Sequence, residues 1–222
     1  MDPTSREEAV RIEVTIGAPV DVVWQALRDP DQVRRWHGWH DPGLADEIKL
    51  IYQTGAHKTN RPYVLEVEPY ELFELEEVEG GTRVRITRSK PDPKDEWAAY
   101  YDDVTEGWIS FLHQLRFMLE QHPHEERRTV FFSAEASTAT PDNLVADSPA
   151  ASGSQWFTSD NQRGVVVDDL GPGLLIVGRT TKGGAMAILT TYGQDGAAFE
   201  QTSEQWTTWW RTHHPDAPAP TV

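Results

Sequence analysis

The longest amphipathic pattern in the chain runs from Trp97 to Leu119. Trp97, Tyr101, Val104, Trp108, Phe111, Leu112, Leu115, Met118 and Leu119 recur at spacings of three and four, which places them on one stripe of a helix. At 1.5 Å per residue that stripe extends on the order of 35 Å, about the width of a small domain. Glu106, Ser110, His113, Gln114, Glu120 and Gln121 fall on or toward the opposite side, so the pattern predicts one dry face and one wet face. Pro123 closes the helix. A helix that is dry on one side needs a concave partner, and the segments before it supply candidates. Val10–Ile16 alternates apolar and charged residues as a half-buried strand does, and Gly17-Ala18-Pro19 breaks it. Val20, Val23, Trp24 and Leu27 then take helical spacing. Asp29-Pro30-Asp31 ends that helix and caps another that carries Val33 and Trp36. The turn-rich loop His37–Leu44 follows. Ile48–Tyr52, Tyr63–Val67, Tyr70–Val78 and Thr82–Ser89 read as strands, with a polar loop over Gln53–Pro62 and a hairpin turn at Gly80-Gly81.

The pattern recurs past Pro123. Adding 103 to the numbers from Pro69 to Lys90 lands on Pro172 to Gly193 without a gap, matching Pro69 with Pro172, Leu72 with Leu175 and Gly80-Gly81 with Gly183-Gly184. With an offset of 98 the long helix recurs too: Tyr101 meets Phe199, Trp108 meets Trp206, Phe111 meets Trp209 and Leu112 meets Trp210. Arg128–Ala136 stands where the first strand of a second copy belongs. Ser137–Ser154, rich in Ser, Ala, Thr and Pro, predicts a loop with at most one helical turn near Pro141–Val145.

APVDVVWQALRDPDQVRRW near the start, EVEPYELF, and EGWISFLHQLRFMLE in the long helix resemble the START-like (SRPBCC) superfamily, in the branch named for homologues of a heat-shock-chaperone ATPase activator. The resemblance covers about Val10 to Gln121, and its strongest parts are the Ala18-Pro19 entry to Trp24 and Gly107-Trp108. It implies an α+β helix-grip fold, a curved antiparallel sheet around a long C-terminal helix, commonly with an apolar cavity between them. The expected division is a complete module at residues 1–124, a shortened second copy at 125–217 and a flexible tail at 218–222.

Composition narrows the function. A net charge of −16 sets a long-range field that repels nucleic acid and anionic membranes. No cysteine is present, which removes disulfides, thiolate nucleophiles and cysteine zinc sites. The N-terminus lacks an apolar signal, and no stretch approaches 18 apolar residues, so the expected location is the cytoplasm. His37, His40 and Asp41 are the best metal candidates, but with only two imidazoles there the expectation is a solvated loop with Trp36 and Trp39 buried, and no metal or other cofactor is expected. His113 falls off the Trp108 stripe and is expected in solvent; His213-His214-Pro215 is expected to fray. Gly107 points either to a strand or loop passing close by or to a tolerated wet position. No catalytic residue is assigned. The candidate ligand cavity is lined by Trp24, Leu27, Trp36, Tyr101, Trp108, Phe111, Leu112 and Leu115. The first expectation is therefore non-catalytic binding of an apolar small molecule, with a protein-interaction role and a cyclase- or hydrolase-like enzyme as the alternatives.

Overall fold

The computed structural model describes residues 10–67, 71–92, 94 and 96–222, the side chains of Lys58, Glu96 and Trp97 excepted. The chain forms two compact units. The first comprises the residues up to Pro123 apart from Trp39–Pro42, and the second comprises those four residues with His124–Val222.

The first unit begins with β1 (Val10–Ile16), α1 (Val20–Ala26) and α2 (Pro30–Val33), the last capped by Asp29, whose carboxylate accepts from the Asp31 N–H at 3.0 Å. Ile48–Tyr52, expected as a strand, is helical: α3 (Leu44–Ile48) runs into a π-helical turn over Lys49–Thr54. Leu44, Ile48 and Tyr52 lie four apart and all three are buried, so the helical period had a better apolar face to bury than alternation did. The strand falls instead in the expected polar loop, as β2 (Ala56–Lys58). Next come β3 (Val64–Val67), β4 (Glu71–Val78), β5 (Gly81–Arg88) and α4 (Tyr101–Gln121). All strand pairs are antiparallel, in the order β1-β5-β4-β3-β2. The inner face carries Ile12, Val14 and Ile16, then Phe73 and Leu75, then Val84 and Ile86. The glutamates of β4 resolve by cross-strand pairing: Glu74 and Glu76 lie opposite Arg85 and Arg83 on the outer face, and Arg83 reaches Glu76 at 3.1 Å.

The long helix starts at Tyr101, behind a 3-10 turn over Glu96–Tyr100, rather than at Trp97, and its dry surface is broader than predicted. Ser110 and Gln114 are wholly buried, because the Gln114 amide donates to the Gly38 carbonyl at 3.2 Å and the loop after α2 lies over that side. Val104, on the predicted stripe, is exposed.

The second unit repeats the plan. It contains β6 (Arg127–Ala134), α5 (Pro141–Ala146), β7 (Gln155–Thr158), β8 (Gln162–Val167), β9 (Gly173–Arg179), β10 (Ala185–Tyr192) and α6 (Gly196–His213). Its sheet order, β6-β10-β9-β8-β7, has the connectivity of the first. The paired glycines are equivalent in detail. Gly80 and Gly183 have φ of 85° and 84°. A side chain on Gly81 would collide with the Ile16 carbonyl, and one on Gly184 with the Ala134 carbonyl, in each case the end of the unit's first strand.

The gap-free alignment nevertheless slips before the turn. Leu75 pairs with Val84, whereas Val177 pairs with Ala187, so the second turn holds one more residue. Leu175 therefore takes the inward place of Phe73, not the half-exposed place of Leu72, since a one-residue shift exchanges the faces of a strand. The two helices also match better by their ends, where His122 and His214 donate N–H to Met118 and Trp210 in the same way, than by tryptophan on tryptophan. Inside this unit Trp206, Trp209 and Trp210 pack with Phe132, Ala185, Ala187 and Val177 in one apolar core, large rings against small sheet residues.

The expectation at the end of α6 changes. His214 is buried rather than frayed, its ring 4.2 Å from Trp210 and its Nε2 2.9 Å from Ser137 Oγ. Within the expected flexible tail, Thr221 pairs with Phe131 through two backbone hydrogen bonds of 2.9 and 3.0 Å.

Candidate functional site

The interior of the first unit, between α4 and the sheet, is where most of the expected ligand residues meet. Leu27, Trp36, Leu112 and Leu115 are fully buried there, Trp108 nearly so, and Phe111 is half-buried. Trp36 is fixed by its indole N–H donating to the Ala26 carbonyl at 2.9 Å. Around Trp108 three rings sit edge to face, Phe73 at 5.1 Å, Phe111 at 6.0 Å and Tyr52 at 6.5 Å, and His37 lies tilted at 5.8 Å. Trp108 is itself unusual. Its indole Nε1 is buried, and no acceptor among the described residues lies within hydrogen-bonding reach. A buried donor left unmade costs about 1–3 kcal/mol.

Trp24 stands apart from this cluster. It is half-buried on α1, edge-on to Tyr63 at 5.9 Å, and lines a surface groove of about 250 Å³. Tyr101 marks the other end of α4, beside a buried ion pair that sequence reasoning missed. Arg88 donates to Glu71 Oε1 at 2.9 Å, to the Tyr101 carbonyl at 2.7 Å and to Thr105 Oγ1, and its guanidinium lies 4.3 Å over the Tyr101 ring. A signal was present: Glu71 and Arg88 continue the inward alternation of β4 and β5 and are cross-strand partners.

The second missed group is a relay that runs from the exposed Glu47 to the buried His37 and Tyr52. The Glu47 carboxylate accepts from His37 Nε2 at 3.3 Å, which leaves Nδ1 to accept the Tyr52 hydroxyl at 3.0 Å. That hydrogen bond to His37 holds the Glu47 carboxyl below its ordinary range. Burial, followed by the charges of Glu47 and Glu71, pushes Tyr52 well above the usual tyrosine range. The metal reading of His37, His40 and Asp41 loses its geometry. His37 is buried in the first unit, while His40 and Asp41 belong to the second, where Trp39 stacks on Phe131 at 3.8 Å and the His40 N–H donates to Thr129 Oγ1 at 2.7 Å. Among the described residues no three His, Cys, Asp or Glu side chains gather as a metal site. His113 is half-buried, not solvated, and burial, with Arg116 adding to it, brings its pKa down to about 4. No helix among the described residues is long and apolar enough to cross a membrane.

In the second unit a cleft of about 600 Å³ runs between Asp147–Pro149 and the α6 residues Gln205, Thr208, Trp209, Thr212 and His213. The indole N–H groups of Trp209 and Trp210 are also buried without an acceptor among the described residues.

Strand, short helices, antiparallel meander and long helix, built twice, define a tandem α+β protein of helix-grip type. Several solved structures are similar to parts or most of this chain. An AHSA1-like protein from Rhizobium etli is 26% identical, over 50% of this chain and 80% of that one, with a TM-score of 0.35. An Aha1 protein from Colwellia psychrerythraea is 22% identical over 50% and 96%, with a TM-score of 0.32. The di-domain ARO/CYC StfQ of the steffimycin biosynthetic pathway is 9% identical over 93% and 92%, with a TM-score of 0.35. No protein-family model matches the chain, and no curated protein does either.

Proposed function

We propose that the first unit binds an apolar small molecule carrying one hydrogen-bond acceptor, in the space between α4 and the sheet. Leu27, Trp36, Phe111, Leu112 and Leu115 form its walls, and Tyr101 closes the helix-start end. The observation that carries this reading is the buried, unmatched indole N–H of Trp108. A ligand carbonyl or ether oxygen reaching it would recover the hydrogen bond that folding leaves unmade. The rings around Trp108 already touch, so entry displaces a side chain instead of filling a void, and the half-exposed Phe111 is the one placed to swing. Thermal shift and tryptophan fluorescence against lipids, polyketides and flavonoids test the reading. Trp108→Phe keeps the ring contacts and removes the donor, so it should weaken a carbonyl-bearing ligand about tenfold while leaving its deoxy analogue unchanged. Equal affinities in the two proteins, or no thermal shift with any compound, overturn the proposal.

The Glu47–His37–Tyr52 relay favours a second, catalytic reading, in which Tyr52 exchanges a proton with a bound carbonyl compound. Tyr52→Phe should then abolish turnover and spare binding. A wild-type protein that binds such a compound and never converts it rejects this reading.

A further inference from the structure

The groove beside Trp24 points to a ligand of different chemistry from the interior. It is lined by Trp24 of α1, by Arg28 just beyond that helix, and by Arg61, Pro62, Tyr63 and Val64 of the segment entering β3. Two arginines converge on it in a chain whose net charge is −16. The Arg28 guanidinium lies 5.2 Å over the Trp24 indole and has no carboxylate partner among the described residues. Arg61 reaches Glu74 at 2.5 Å through one nitrogen of its fork, which leaves further donors on an otherwise exposed side chain. The backbone beneath them is strained. Tyr63 has φ of 55°, a left-handed conformation that a tyrosine rarely adopts, and it is the one non-glycine residue with positive φ among the described residues. Its hydroxyl, donating to Asp21 at 2.7 Å, and its carbonyl, accepting from the Leu75 N–H at 3.0 Å, hold it there. That conformation sets the Tyr63 ring edge-on to Trp24. Strain of this kind persists where the surrounding structure imposes it, and it gathers at binding sites.

We infer that this groove is a binding site for a small aromatic carboxylate. The ligand's ring packs against Trp24 and Tyr63, and its carboxylate takes the guanidinium forks of Arg28 and Arg61, a planar match that an ammonium group would not provide. The volume, about 250 Å³, suits a single ring with its acid group. The site does not rest on the interior reading.

Isothermal titration with benzoate and salicylate tests it, with benzyl alcohol, cyclohexanecarboxylate and inorganic phosphate as comparisons. Benzoate and salicylate should bind at least tenfold more tightly than all three. Arg28→Gln should weaken benzoate at least tenfold and Arg61→Gln severalfold, whereas Trp108→Phe should leave it unchanged. Tyr63→Gly keeps the left-handed backbone accessible and removes the ring, so it should weaken benzoate at least tenfold. Benzyl alcohol or phosphate binding as tightly as benzoate overturns the proposal. So does full affinity in Arg28→Gln or Tyr63→Gly, and so does a loss in Trp108→Phe, which would move the ligand to the interior.

Discussion

Replacing Arg88 by methionine tests the account of the first unit's interior most directly. Arg88 and Glu71 are 2% and 6% exposed, and the guanidinium bonds Glu71 Oε1 at 2.9 Å and the Tyr101 carbonyl at 2.7 Å. The substitution removes the cation and its charge-assisted hydrogen bond from a buried carboxylate, while the Tyr101 carbonyl keeps the Thr105 hydroxyl as a donor. Removing one partner of a buried, hydrogen-bonded pair costs about 3–5 kcal/mol, most of it from the charge left behind. If that is the origin of the loss, a second change that takes away the stranded charge should restore stability. Glu71→Leu combined with Arg88→Met is expected to recover about 2–4 kcal/mol of the single variant's deficit. Urea unfolding followed by tryptophan fluorescence measures all four proteins of the cycle, and the coupling is read from the non-additivity. The two units need not unfold together, so the relevant transition is the one that moves in Arg88→Met. A loss below about 1 kcal/mol in the single variant, or a double variant no better than it, would falsify the reasoning. The pair also has a structural logic. Twelve residues separate β5 from α4, but three separate β10 from α6. The long connection needs an anchor at the helix start, and in the second unit, where Thr191 stands in the place of Arg88, the short connection supplies it.

Two further outcomes follow from single residues. Among the described residues a side chain on Gly107 would meet only the Phe111 ring, at an ordinary 3.6 Å, which favours the tolerated position of the two sequence readings; Gly107→Ala should stabilise the first unit by about 0.5–1 kcal/mol in urea unfolding. His113 is held near a pKa of about 4 against an ordinary value of 6.5, so the folded protein refuses a proton that the unfolded chain accepts. Its contribution is complete above pH 6.5 and is lost as pH falls toward 4, a loss of up to about 3 kcal/mol at about 1.4 kcal/mol per tenfold change, and less for a ring in part solvated. Unfolding of the wild type and His113→Gln at pH 7 and pH 4.5 should therefore show the wild type losing more; parallel losses refute it.

What could be read from the sequence is what depends on chain-local chemistry. The hairpin glycines were legible because Gly81 and Gly184 answer to the same neighbouring carbonyl in each unit, a demand no other residue meets. The helical segment expected near Pro141–Val145 is present as Pro141–Ala146, and Thr140 caps it, its hydroxyl accepting from the Asn143 N–H. Ile48–Tyr52 was misread because a short apolar run satisfies both periods, and the choice was made by the core that received Leu44, Ile48 and Tyr52. The wet face of α4 was misread because Gln114 is buried by a loop 76 residues away in sequence, which no local pattern reports. The relay from Glu47 to Tyr52 was missed for a related reason. His37 stands beside His40 and Asp41 in sequence, but its hydrogen-bonding partners are Glu47 in α3 and Tyr52 in the π-helical turn that follows it.

The bridge between Thr221 and Phe131 has a consequence for how the protein behaves at high concentration. In the second sheet β6 is a border strand, with β10 on one side. A border strand offers bare N–H and C=O groups to any passing extended chain, which is how sheets of separate molecules fuse. Thr221 occupies two of those groups at the middle of β6, and the border is interrupted where a foreign strand would have to start zipping. A chain shortened by its last five residues would keep its core and lose this guard against self-association.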